Sequence, residues 1–155
     1  MPPLFTTLLA QRLQRESGRP CTEAVDGMRV EPGRTYLAPG DFHMLVEQRD
    51  GETRIRLNQG SAENHCRPAA DPMLRSIART YGPATLAVVL TGMGEDGRRG
   101  CEEVHRAGGR VLIQDEASSV VWGMPGAVAA SGIADWTVTL HEIGAKIGAI
   151  CARPS

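Results

Sequence analysis

The chain has 155 residues, 41% of them hydrophobic and 23% charged, with a formal net charge of −1 and a pI near 6.4. These proportions fit a globular domain with a core of its own and exclude a disordered segment. They also exclude a nucleic-acid or anionic-membrane binder, because the arginines are dispersed and Lys146 is the single lysine.

The opening MPPLFTTLLAQRLQRES has arginines after its apolar residues and no small-residue cleavage site. No apolar run reaches the roughly 18 residues of a membrane span, so the expectation is a cytoplasmic protein with no membrane insertion. Cys21, Cys66, Cys101 and Cys151 are far apart and form no C-x-x-C pair. Reduced, mostly buried thiols are expected, and neither metal nor cofactor is implied.

In chain order, Leu4, Leu8, Leu9 and Leu13 recur at helical spacing and predict an amphipathic helix that stops before Gly18-Arg19-Pro20. Four short β-type pieces follow, CTEAV, TYLAP, HMLVEQ and TRIRLN. The last two flank Asp50-Gly51, the signature of an antiparallel hairpin. A helix is predicted from Asp71-Pro72, read as N-cap and first helical residue. The remaining order is strand 85–90, helix 98–107, strand 110–114, a loop through Met124-Pro125, helix 126–131, strand 133–138 and helix 141–151. Alternation of this kind predicts an α/β fold: a mostly parallel, doubly wound sheet with helices on both faces, plus the small hairpin, as one domain over 1–155.

The stretch Thr85–Gly100, TLAVVLTGMGEDGRRG, is the richest in chemistry. LAVVL reads as a strand buried on both faces, and Asp96 then stands at its carboxyl end, where α/β proteins place their sites. Gly92, Gly94 and Gly97 also satisfy G-x-G-x-x-G, with Asp115 and Glu116 roughly 20 residues on. Glu95 and Asp96 would put two negative charges where a dinucleotide pyrophosphate must rest, which argues against that reading. The plain structural alternative is that Asp96 caps the helix that follows it.

TGMGEDG is followed at matching spacing by IQDEASSVVWGMPGAVAASG and preceded by GRTYLAPGDFHM and CRPAAD. Four blocks in this order resemble the catalytic domain of the CheB-type chemotaxis protein-glutamate methylesterases, from Met1 through the final helix. The resemblance implies a serine hydrolase that removes γ-methyl groups from glutamates on chemoreceptor cytoplasmic helices, in many members also deamidating glutamines. It places Asp96 in the triad as the residue that orients the histidine, and its removal is expected to leave geometry largely intact but cripple turnover. It further implies a receiver domain that commonly precedes the esterase.

By the same resemblance the nucleophilic Ser and the base His precede Met1, so about one β-α-β unit of the domain is expected to be missing. None of Ser17, Ser61, Ser76, Ser118, Ser119, Ser131 and Ser155 lies in a nucleophile elbow. Ser118 and Ser119 fall in the family's active-site wall, with a supporting hydrogen-bond role. Among the histidines, His43 matches a family position outside the triad, His105 and His141 lie on helices, and His65, close to Arg67, is the remaining candidate for approach to the cleft.

Arg67 borders the cleft by resemblance, against a surface salt bridge as the alternative. Met93 and Met124 flank it, either packing on substrate or filling core gaps. The Met93 N–H at the Met93-Gly94 turn is the oxyanion donor to be expected. Where the family often has Ser-Val before Asp71, this chain has Ala69-Ala70. The competing functional reading is a non-catalytic receptor-binding or regulatory remnant of the same domain.

Overall fold

The structure is a computed structural model and describes residues 2–152. Met1 and Ser155 lie outside the described residues. Helix α1 (Pro3–Ser17) begins with proline at its first position, where the missing N–H has no helical partner anyway, and ends at Gly18. Its leucine stripe is not the buried face. Thr6 and Ala10 are buried, whereas Leu4, Phe5, Leu8 and Leu13 are exposed. Polar contacts set the helix rotation: the Glu23 carboxylate accepts the Thr6 and Thr7 hydroxyls at 2.5 and 2.7 Å, and Thr6 Oγ1 accepts the Gly40 N–H at 3.0 Å. Those contacts turn the helix toward strands β1 (Cys21–Glu23) and β2 (Thr35–Leu37), which pair in parallel.

Strands β3 (His43–Arg49) and β4 (Glu52–Asn58) form the expected antiparallel hairpin, with Arg49 opposite Glu52. Asp50 and Gly51 both take positive φ, 53° and 79°, as the twist-matched two-residue turn requires. Met44 and Ile55 bury the inner face with Ala24 as a small separate cluster.

The larger core belongs to the βα units. Helix α2 (Ala70–Tyr81) leads through a short 3₁₀ turn into β5 (Leu86–Val89), then α3 (Arg98–Arg106), β6 (Arg110–Gln114), α4 (Met124–Ala130), β7 (Trp136–Val138) and α5 (Leu140–Cys151). The three strands are parallel in the order β5-β6-β7. The fold is therefore the α/β arrangement expected, but the fully buried strand is β6, not LAVVL. Val111 through Gln114 are wholly inaccessible, while β5 has a single neighbour among the described strands and Leu86 and Val88 are only half-buried.

Leu74, Ala78, Ala87, Val89, Val104, Val111, Ile113 and Val128 close this core. Helices α2 and α3 approach so nearly that a Cβ on Gly100 would lie 2.5 Å from Leu74 Cβ. Burial pushes the neighbouring Cys101 thiol up to about 12, so it stays an inert thiol. Cys21 is buried too, but Cys66 and Cys151 are exposed, which corrects the expectation of mostly buried thiols. Among the described residues no helix is long and apolar enough to cross a membrane.

Candidate active site

Asp96 sits seven residues past the end of β5, half-buried, in the turn that opens α3. It does not cap α3, whose N-cap is Gly97 with no side-chain bond. It caps α2 instead, from 25 and 26 residues away. Asp96 Oδ2 accepts the Ala70 N–H at 2.6 Å, and Oδ1 accepts the Asp71 N–H at 3.1 Å. The predicted Asp71-Pro72 start of α2 shifts accordingly: Ala69 is the N-cap and has no side-chain bond to give.

The four N–H positions that open a helix have no partner within it. Here three are satisfied by sequence-distant groups and the fourth position has no N–H to satisfy. The Ala69 N–H donates to His43 Nδ1 at 3.3 Å, Ala70 and Asp71 donate to Asp96, and Pro72 has no N–H. His43 is buried, and because Nδ1 accepts, Nε2 carries the proton and donates to the Ser61 carbonyl at 2.9 Å. Both of its ring nitrogens are thus committed to structure. A third donor reaches Asp96: Asn64 Nδ2 bonds Asp96 Oδ1 at 3.1 Å and Asp71 Oδ2 at 2.9 Å. The second oxygen of Asp71, a residue only 1% exposed, accepts the Gly100 N–H at 2.7 Å.

Asn64, Asp71 and His43 are the site residues that sequence reasoning did not place here. A helix start with Ala at the N-cap and no local acceptor was the available signal that a remote one must exist. Asp96 bonds no histidine among the described residues; Asn64 reaches it, and the adjacent His65 is exposed. His105 and His141 are exposed as well.

The loop carrying Met93 and Gly94 is fastened to the 118–124 loop by backbone. The Gly92 N–H donates to the Val121 carbonyl at 3.2 Å, and the Gly92 carbonyl accepts the Gly123 and Met124 N–H groups at 3.1 and 2.8 Å. A Cβ on Gly123 would stand 2.6 Å from the Gly92 oxygen, so only glycine permits this approach. Buried Gln114 ties the same loops, its Oε1 accepting the Thr91 N–H at 2.9 Å and its Nε2 donating to the Ser118 carbonyl at 2.7 Å.

Met93 projects from this platform 86% exposed, and its N–H finds no protein acceptor among the described residues. Met124 does fill a gap, packing against the main core and Gly92. Ser118 and Ser119 are both structural. The Ser118 hydroxyl bonds the Asp115 carboxylate and accepts the Leu140 N–H at 3.0 Å; the Ser119 hydroxyl donates to the Asp115 carbonyl at 2.6 Å.

Arg67 ties its loop to the loop that precedes β3. Nε and Nη2 donate to Asp41 Oδ1 at 3.0 and 2.6 Å, while Nη1 donates to the Gln59 and Gly60 carbonyls at 3.2 and 3.0 Å. The guanidinium holds the Asp41 carboxyl below its ordinary range. With His65 and Cys66 it lines an open recess of about 540 Å³.

The model of the family described as CheB methylesterase matches residues 1–147. Over 153 residues the chain is 55% identical to the protein-glutamate methylesterase/protein-glutamine glutaminase of group 2 operon of Rhodospirillum centenum, covering 99% of this chain and 39% of that protein. It is 56% identical over 154 residues to the protein-glutamate methylesterase/protein-glutamine glutaminase of Azospirillum brasilense, with the same coverage. The chain thus spans about two fifths of the length of these curated relatives. The crystal structure of the Thermotoga maritima CheB methylesterase catalytic domain superposes with a TM-score of 0.91 at 42% identity, over 94% of this chain and 77% of that one. On the matched family model, the relatives and the shared fold together, the chain belongs to the CheB methylesterase family.

Proposed function

We propose that residues 1–155 form one methylesterase catalytic domain, incomplete on its amino-terminal side. Supplied with that side, it hydrolyses glutamate γ-methyl esters on chemoreceptor cytoplasmic helices in chemotaxis adaptation. Glutamine deamidation belongs to the same proposal, since the relatives are named for both activities. The cytoplasm is the matching location, and a receiver domain the matching regulator.

The carrying observation is the state of Asp96 in a chain of this family. A carboxylate offers about four acceptor positions; three are filled, two of them on Oδ1. One position on Oδ2 is left for an imidazole N–H. In this mechanism a serine supplied by the amino-terminal segment attacks the ester carbonyl and a histidine takes its proton. Asp96 fixes the imidazole tautomer and stabilises the imidazolium. The Met93 N–H, on its fastened loop beside Gly94, faces the developing oxyanion. Methanol leaves, and water hydrolyses the acyl-enzyme by the same steps. Ser118, Ser119 and Met124 act as the wall behind that loop, and Arg67 braces the recess that it lines with His65 and Cys66.

The competing reading, a receptor-binding remnant, draws on the absence of a histidine partner for Asp96 among the described residues. The test joins this chain to the segment that precedes the matching region in the Azospirillum brasilense relative and measures methanol release from methylated receptor fragments. Turnover that falls about 10³- to 10⁴-fold on Asp96→Asn supports the proposal. Receptor binding with no methanol release from the joined protein replaces it with the remnant reading.

A further inference from the structure

We propose that Asn64, held by Asp71, is a positioning residue for Asp96: it selects which carboxylate oxygen meets the imidazole. This rests on the triad reading of Asp96 given above and extends it to two residues that bear no assigned role.

Asn64 has φ +51°, a left-handed conformation that asparagine tolerates better than most residues. Its turn is clamped on both sides. Glu63 and Cys66 exchange backbone hydrogen bonds at 3.1 and 2.8 Å, and the Glu63 carboxylate forms a fork with Arg75 of α2 at 2.5 and 2.9 Å. That pairing holds the Glu63 carboxyl below its ordinary range. The turn is thereby fastened to the same helix that Asp96 caps.

The side chain then has one productive orientation. A single nitrogen, Nδ2, lies between two carboxylates and gives one hydrogen to each, to Asp71 Oδ2 and to Asp96 Oδ1. Flipping the amide would aim its oxygen at both, so the two acids enforce the orientation. Asp71 is itself buried and bonded through its other oxygen to the Gly100 N–H. The chain of contacts runs from α3 through Asp71 and Asn64 to Asp96.

Its consequence for chemistry is specific. Without Asn64, Oδ1 would carry the Asp71 N–H alone and both oxygens would offer an open position. With Asn64 in place, Oδ1 is saturated and only Oδ2 remains. An imidazole approaching the wrong oxygen would be displaced by about an ångström or more, a distance that can cost 10²-fold in rate.

Two measurements test this. In the chain alone, amide spectra are compared before and after Asn64→Ala. The Ala70 amide, which bonds Asp96 and not Asn64, is expected to shift well beyond its line width. An unmoved Ala70 amide overturns the inference whatever the activity proves to be. In the joined enzyme, Asn64→Ala is expected to lower kcat about 10- to 100-fold with KM within about twofold. In an Asp96→Asn background the same change should cost less than about twofold, because the two act as one unit. Equal losses in both backgrounds overturn the positioning role while leaving the triad standing. If Asp96→Asn costs nothing, both fall. Should Asn64→Ala not fold, Asp71→Asn is read in the same cycle, with a loss confined to the Asp96 background expected and an additive loss overturning it.

Discussion

Helices α2 and α5 start in opposite ways. At α5 the cap is local: Thr139 and Glu142 form a capping box, with Glu142 Oε2 accepting the Thr139 N–H at 3.1 Å and its hydroxyl at 2.8 Å. Only the Leu140 N–H looks further afield, to Ser118. At α2 no neighbour contributes, and His43 and Asp96 do the capping from elsewhere in the chain. A local cap stabilises a helix and leaves its position free. A remote cap fixes the helix against the loop that supplies it, so the start of α2 and the 91–97 loop move as one piece.

Breaking the remote cap should therefore cost the most. Asp96→Ala leaves two backbone N–H groups and the Asn64 amide without their acceptor, and a lost cap together with unsatisfied donors amounts to about 3 kcal/mol. Urea unfolding of the isolated chain measures it, and a loss below about 1 kcal/mol would show that α2 recruits a substitute. Such a loss would run against the expectation that removing Asp96 leaves geometry largely intact. Asp96→Asn keeps one oxygen and is the better variant for activity.

Gly100→Ala comes next and sharpens the comparison without touching a cap residue. The added methyl would meet Leu74 Cβ at 2.5 Å and the Asp71 Cα at 3.2 Å, forcing α3 away from the first turns of α2 and lengthening the Asp71–Gly100 bond. Overpacking of this kind costs about 2 kcal/mol. Amide exchange at Asp71 should accelerate along with the fall in stability. Unchanged exchange there would mean that α3 yields without disturbing the capping network. At α5, Thr139→Ala is expected to cost only about 1 kcal/mol and to leave the Ala70 and Asp71 amides unmoved.

The same contrast explains what the sequence made legible. The hairpin was readable because Asp50-Gly51 fixes its own turn, and the alternation from β5 to α5 because periodicity is local. The leucine stripe of α1 misled because Glu23 and Gly40, not burial of leucines, orient that helix. LAVVL and RVLIQ are similar strings, and strand order alone decides which is central. Asp96 was found through its glycine-rich setting and the family resemblance. Its partners were not, because Asn64 and Asp71 are joined to it only by the packing of α2 against α3.

The smallest effect is a pH dependence confined to the local cap. Glu142 has its pKa lowered first by the Thr139 hydroxyl, then by the Thr139 N–H, both of which favour the charged carboxylate. A carboxyl whose folded pKa lies below its unfolded value, about 4.3, contributes stability that is fully present above that pH and is lost as pH falls through the folded pKa. The melting temperature of the wild-type chain should thus exceed that of Glu142→Gln at pH 6, and the gap should close as the solution is taken well below pH 4. The group is fully exposed, so salt should shrink the gap as well. A difference that persists unchanged into acid would mean that the neutral glutamate caps α5 better than glutamine does, and that the carboxylate's charge adds nothing.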